Sequence, residues 1–265
     1  MSALSAVPHD LNTHAFDFYH DLLCTVQASG VPFLVGGAYA LAHYTGIIRH
    51  TKDLDLFTRP ADAPRLLAAL ERAGYKTELA FPHWLGKAFA GEDFVDVIFS
   101  SGNGCCPVDD AWLEHAVPAR VMGTDVRLCP AEEMIWQKAF ILERERYDGA
   151  DVLHLLRGCG PRLDWPRLLD RFGPHWRLLL SHLILFGFVY PTEEDRIPAG
   201  VMRELAGRLL DPAEEGTERL CRGTMLSRSQ YLVDTEQWGY QDARLPPWGN
   251  MTPEQVTHWT AAIEH

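Results

Sequence analysis

Asp53 and Asp55 alternate with Leu54 and Leu56 in the run DLDLF. Alternate residues of a strand share a face, so the two acids project together, roughly 7 Å apart along the backbone. Two carboxylates this close repel, and each disfavours ionisation of the other. A hard divalent cation resolves the conflict, and Mg²⁺ characteristically takes one or two carboxylates together with substrate phosphate oxygens. The competing reading is a half-exposed strand whose acids are simply solvated. A third acid, Asp96, interrupts the apolar run FVDVIF. A carboxylate there needs a partner or a task, and a salt-bridged structural role is the alternative to a chemical one. Paired acids on one strand and a third on a neighbour are what metal-assisted phosphoryl transfer requires.

The elements around these acids follow from pattern. Phe16, Tyr19, Leu22, Leu23 and Val26 line one face of a helix over 13–28 that Gly30 stops. VPFLVGG (31–37) reads as a short buried strand ending in Gly36-Gly37, where a helix over 38–46 begins. Glycine permits close approach of backbone N–H groups, and a helix N-terminus favours anions, so this turn could cradle phosphate; two glycines after a strand are also ordinary turn chemistry. A strand over 51–58 carries the Asp pair. An amphipathic helix over 62–75 follows, with Asp62 as its cap and Gly74 as its end. Further strands are expected at 76–80, 84–90 and 93–101, then a loop, a strand at 125–129, a Pro-started helix and a helix over 148–158. The chain then reads as helical to about 210. Leu178–Tyr190 is expected to be a buried core helix. From 226 onward the sequence is aromatic and turn-rich, with a last short helix from Thr252.

Helices alternating with strands, then helices alone, predict an α/β (α+β) fold: a mixed sheet flanked by helices, followed by a mainly helical part. The expected division is a core over 1–125 and a helical region over 126–265 that completes the active site.

Composition narrows the classes. With 265 residues and 47% hydrophobic content, the chain can bury one large core or two smaller ones. It has no apolar run long enough to span a membrane, and its first residues lack the features of a secretory signal. Six scattered cysteines without a C-x-x-C pair predict a reducing, cytoplasmic setting and no zinc site. A net charge of −12 argues against a long polynucleotide substrate. The arginines between 157 and 177 could still form a local basic patch, or a solvated helix surface.

Taken together, Gly36-Gly37, then Arg49-x-Thr51-x-Asp53-x-Asp55, then Asp96 within VDVIF resemble the nucleotidyltransferase fold of the DNA polymerase beta superfamily. The likeness is to its small bacterial branch of minimal and toxin-type nucleotidyltransferases, and it covers about residues 10–157. It implies that Asp53 and Asp55 hold two Mg²⁺ ions, with Asp96 completing the metal site or acting as base on an acceptor hydroxyl. It also implies a nucleoside triphosphate substrate such as ATP. Gly36, Gly37, Arg49 and Thr51 would lie on the phosphate side. The order Lys138, Arg144, Arg146, Asp148, Asp151 likewise resembles the toxin-type branch, which implies triphosphate contacts from Lys138 and the arginines. Read physically, Lys138 is either such a contact or a snorkelling lysine on a core helix, and Asp151 either meets substrate or orients Lys138 or Arg146. Gly37 stands where better-known relatives carry serine. The acceptor stays open among small molecule, protein and tRNA, and the branch leaves room for a regulatory partner protein. Trp238, Tyr240 and Trp248 would suit a small, cationic acceptor or plain packing. A catalytically inactive nucleotide- or partner-binding module and an Asp-x-Asp glycosyltransferase are the competing classes.

Overall fold

The computed structural model describes residues 13–49, 51, 53–210 and 218–262. The amino-terminal residues read above for a signal lie outside them. The chain divides into two compact units, Met1–Pro130 and Ala131–His265.

The first unit begins with helix α1 (Thr13–Ala28), strand β1 (Leu34–Val35), α2 (Gly37–Thr45), β2 (Asp53–Phe57) and α3 (Ala63–Arg72). There follow β3 (Lys76–Phe81), β4 (Leu85–Ala90), β5 (Asp93–Ile98), α4 (Asp110–Glu114), β6 (Val117–Val121) and β7 (Thr124–Leu128). The seven strands form one mixed sheet in the order β3-β4-β5-β2-β1-β7-β6. β2 runs parallel to β5, and β1 parallel to β7; the other pairings are antiparallel.

Register decides what each face carries. Leu56 of β2, Val97 of β5 and Gly86 of β4 are successive cross-strand neighbours on one face. Leu54, Leu56, Val95 and Val97 there are fully buried. Helix α3 covers this face: a Cβ on Gly86 would come within 2.8 Å of the Leu67 side chain. Burying four branched residues in this way contributes on the order of 1.5–3 kcal/mol each and anchors the two acid-bearing strands.

Two local expectations are corrected. Asp62 precedes α3 but its side chain caps nothing; it is helical in φ and ψ, buried, and paired with Arg59 at 2.7 Å and Arg65 at 3.0 Å. Two nearby guanidinium groups outcompete backbone N–H groups for its carboxylate. Strand β6 had no counterpart in the sequence reading. Its hairpin with β7 turns at Met122-Gly123, with φ of 48° and 74°. That is the positive-φ pair a two-residue hairpin needs, but with Met where Asn or Asp usually signals it. Pro118 is tolerated because β6 is the sheet's edge.

The second unit contains α5 (Ala131–Ala139), α6 (Gly149–Cys159), α7 (Trp165–Phe172), α8 (Trp176–Val189), α9 (Ala199–Leu210), β8 (Leu220–Cys221), α10 (Leu232–Glu236), β9 (Gln241–Asp242) and α11 (Pro253–Ala261). Helix α8 is apolar all round, yet it is buried on one side only. Leu179, Leu183 and Phe186 are enclosed, whereas Phe188 is 81% exposed and Ile184 59%. Uniform hydrophobicity does not say which stripe packs. Of the arginines read as either a basic patch or a solvated helix surface, three are paired with acids of the same unit: Arg157 with Glu193, Arg167 with Glu132 and Glu133, Arg171 with Glu133. No helix among the described residues is long and apolar enough to cross a membrane.

Candidate active site

The acids meet because β2 and β5 are parallel neighbours. Asp55 and Asp96 are register partners, and Asp53 lies two residues before Asp55 on the same face. One carboxylate oxygen from each of the three lies within 4.8 Å of the others. All three are partly buried, with leucine and valine closing the sheet behind them. Asp53 is steadied locally: the Thr51 hydroxyl donates to its carboxylate and, at 3.1 Å, to its carbonyl. Thr51, expected beside phosphate, therefore reaches the site through Asp53. Arg49 lies exposed on the segment between α2 and β2.

Lys87 was absent from the sequence reading. It is the register partner of Asp96 across the antiparallel β4–β5 pair, and its Nζ lies 2.8 Å from Asp96 Oδ1. The same ammonium sits 4.3 Å from the centre of the Phe94 ring. A signal existed: Lys87 is the one charged residue of LGKAFA, facing a strand with an acid in its middle. Its partner depended on a register that a single strand does not reveal. Asp96 thus combines the two alternatives, an ion-paired residue that also belongs to the acid cluster.

The Gly-Gly turn is packed against this cluster. Gly36 N–H donates to the Asp55 carbonyl at 3.0 Å. A Cβ on Gly36 would meet the Phe57 ring at 2.2 Å, and one on Gly37 would meet Asp55 Oδ2 at 1.8 Å. Gly37 also has φ of +54°, in the left-handed region. A side chain at position 37 would therefore displace the Asp55 carboxylate.

From the first turn of α2, Tyr39 adds an unusual feature. It is 3% exposed, yet its hydroxyl has no hydrogen-bond partner among the described residues. Burial pushes its pKa up, and Tyr19, Asp53 and Asp55 push it further. Tyr19 is likewise raised to about 12 by burial and by Asp93, Asp53 and Asp55. Both phenols are therefore neutral hydroxyls in the negative field of the acids. Three converging hard donors, with a buried orphan hydroxyl in their field, fit a hydrated divalent cation.

The remaining expected residues belong to the second unit, where Lys138, Arg146, Asp148 and Asp151 form an ion cluster. Lys138 Nζ lies 2.7 Å from Asp148 Oδ2 and 2.8 Å from Asp151 Oδ2, with its side chain 15% exposed. Arg146 closes on Asp148 from outside, at 3.0 and 3.1 Å. Burial alone would raise the Asp148 pKa; hydrogen bonding from Arg146 and the charges of Lys138 and Arg146 outweigh it and hold the group down to about 2. Asp151 and Asp148 thus hold the Lys138 ammonium between them. Arg144 is exposed in the turn between Leu142 and Tyr147. Of the late aromatics, Tyr240 is capped by Arg219 at 4.7 Å, Trp248 is 42% exposed and donates from Nε1 to Gln241, and Trp238 is 57% exposed.

A seven-stranded mixed sheet with flanking helices, bearing paired acids beside a third in register, is the architecture of a nucleotidyltransferase. The chain belongs to the family described as uncharacterised nucleotidyltransferase, which matches residues 12–181, well over half its length. Among solved structures, it is similar to the antibiotic-resistance factor ANT(2'')-Ia at 19% identity and a TM-score of 0.43, covering 65% of this chain and 98% of that one. It is similar also to the lincosamide antibiotic adenylyltransferase LnuA at 15% identity and a TM-score of 0.38, covering 55% and 96%. JHP933 from Helicobacter pylori aligns at 13% identity and a TM-score of 0.37, covering 76% and 97%. No curated protein matches the chain.

Proposed function

We propose that this nucleotidyltransferase moves a nucleoside monophosphate from an NTP to an acceptor hydroxyl, with Mg²⁺ held by Asp53, Asp55 and Asp96. The observation that carries the reading is the convergence of three carboxylates, within 4.8 Å, in a member of this family. When bound, the metal neutralises charge on the triphosphate oxygens and lowers the pKa of the acceptor hydroxyl. The chain's own residues do the rest. Asp53, fixed by Thr51, and Asp55, packed on Gly37, present donors whose positions are set before substrate arrives. The acceptor oxygen bonds to the α-phosphorus, the bond from that phosphorus to the bridging oxygen breaks, and pyrophosphate leaves. Asp96 takes up the acceptor's proton. With the Gly36 N–H taken by the Asp55 carbonyl, a phosphate at this turn would be met by the backbone at the head of α2 beyond it.

The test is incubation of the purified protein with each α-labelled NTP, Mg²⁺ and fractionated cell extract. Label should move to an acceptor with stoichiometric pyrophosphate release, and Asp53→Ala/Asp55→Ala should transfer none. Equal transfer by both proteins, or nucleotide binding without release across all fractions, overturns the proposal. The class of molecule carrying the label identifies the acceptor.

A further inference from the structure

We infer that Lys87 is the resident counter-cation of the acid notch, holding Asp96 until a divalent ion arrives and thereby weakening metal binding by the nucleotide-free protein. The inference rests on the metal reading of the notch given above.

Three features carry it. First, the pair is built into the sheet. Lys87 and Asp96 are opposite each other in the β4–β5 register, and Asp96 is opposite Asp55 in the β2–β5 register. Lys87, Asp96 and Asp55 thus form one cross-strand row on one face. Second, the pair is partly removed from water. The side chains are 24% and 16% exposed, and the ammonium lies over the Phe94 ring. Its attraction for Asp96 is therefore stronger than that of a surface pair. Third, lysine is a point charge on a flexible stem and holds Asp96 by a single contact, at 2.8 Å, so breaking that one contact frees the carboxylate; a bidentate arginine fork would hold it by two.

The physical consequence follows. Three carboxylates whose oxygens lie within 4.8 Å repel one another, and the ammonium offsets one of those charges. A dication that recruits Asp96 must displace the ammonium or tolerate it as a near neighbour. Either way the free protein binds metal more weakly than the bare triad would. A metal–nucleotide complex changes the balance, because its phosphates offer the ammonium an anionic partner in exchange for Asp96. Metal and nucleotide then bind with positive coupling, which by linkage is reciprocal.

The experiment measures Mn²⁺ binding by the loss of the free-ion EPR signal, without and with a non-hydrolysable NTP analogue. It compares wild type with Lys87→Met, Lys87→Gln, Lys87→Met/Asp96→Asn and Asp53→Asn. Without nucleotide, Lys87→Met and Lys87→Gln should each bind Mn²⁺ about tenfold more tightly than wild type. The analogue's enhancement of Mn²⁺ affinity should shrink by a similar factor, and adding Asp96→Asn should cancel the gain. Two neutral replacements of different polarity guard against one failing to fold. Unchanged or weaker Mn²⁺ binding in the folded neutral variants, with wild-type binding still lost in Asp53→Asn, overturns the role of Lys87 alone. Mn²⁺ binding that survives Asp53→Asn unchanged overturns the metal reading itself.

Discussion

Asp55 and Asp96 are register partners on parallel strands, and Asp96 also holds the ammonium of Lys87 at 2.8 Å. Asp96→Asn leaves a partly buried ammonium without its carboxylate and is expected to cost about 1–2 kcal/mol when no metal is present. Asp55→Asn and Asp96→Asn should each lower nucleotidyl transfer at least about 100-fold, since each removes a charge from the triad. Thermal melts without metal, paired with pyrophosphate-release assays, check both effects.

Gly37→Ala tests the packing of the turn on the acids. The new methyl would start 1.8 Å from Asp55 Oδ2, at a backbone φ of +54° that alanine resists. Expected are a stability loss of roughly 1–3 kcal/mol and a displaced Asp55, with Mn²⁺ affinity falling at least about tenfold. Gly91→Ala is the control. It too has positive φ, but a Cβ there meets nothing within 4 Å. Its cost should stay near 1 kcal/mol, with metal affinity unchanged. Chemical denaturation and Mn²⁺ titration of the two variants decide between strain alone and strain transmitted to the carboxylate.

The acids were legible in the sequence because strand alternation is local: DLDLF reports its own two faces, and so does FVDVIF. Helix α1 was legible for the same reason at the helical period. What remained hidden depended on pairing between distant segments. Lys87 became part of the site only through the β4–β5 register, and β6 only through a hairpin turn built on Met122. Asp62 has the residue type and position of a cap, but Arg59 and Arg65 compete for its carboxylate, and residue type alone does not reveal that competition. Helix α8 showed an apolar sequence without an apolar face, so burial on one side only was not readable from it.

Asp148 supplies a pH dependence in the second unit. Lys138 and Arg146 hold its pKa at about 2, against 3.8 ordinarily. A group depressed in the folded state adds stability that is fully present above its unfolded pKa and is lost as pH falls through its folded one. The contribution is ~2 kcal/mol, present above about pH 4 and gone below about pH 2. Asp148→Asn should be destabilised at pH 7 and should show a flatter stability profile between pH 4 and 2 than wild type. Urea denaturation across that range is the measurement. A wild-type profile as flat as the variant's would show that the ion cluster contributes nothing there.

Tyr39 separates stability from ligand binding. Its hydroxyl is buried without a hydrogen-bond partner among the described residues, a state that costs a polar group about 1–3 kcal/mol. Removing the oxygen removes that cost, so Tyr39→Phe is expected to be neutral or up to about 1 kcal/mol more stable without ligands; the ring stays and the packing is unchanged. Natural interiors rarely retain an orphan hydroxyl where phenylalanine would serve. Its place in the field of Asp53 and Asp55 supplies a reason, a donor awaiting the hydration shell or the phosphate oxygens of a metal–nucleotide complex. On that account Tyr39→Phe, stable when empty, should lose about three- to tenfold in affinity for the Mg²⁺–nucleotide complex, the worth of one hydrogen bond. Isothermal titration alongside thermal melts reads both quantities from the same samples. A variant that is more stable and binds as tightly as wild type would leave Tyr39 a packing residue with an idle oxygen.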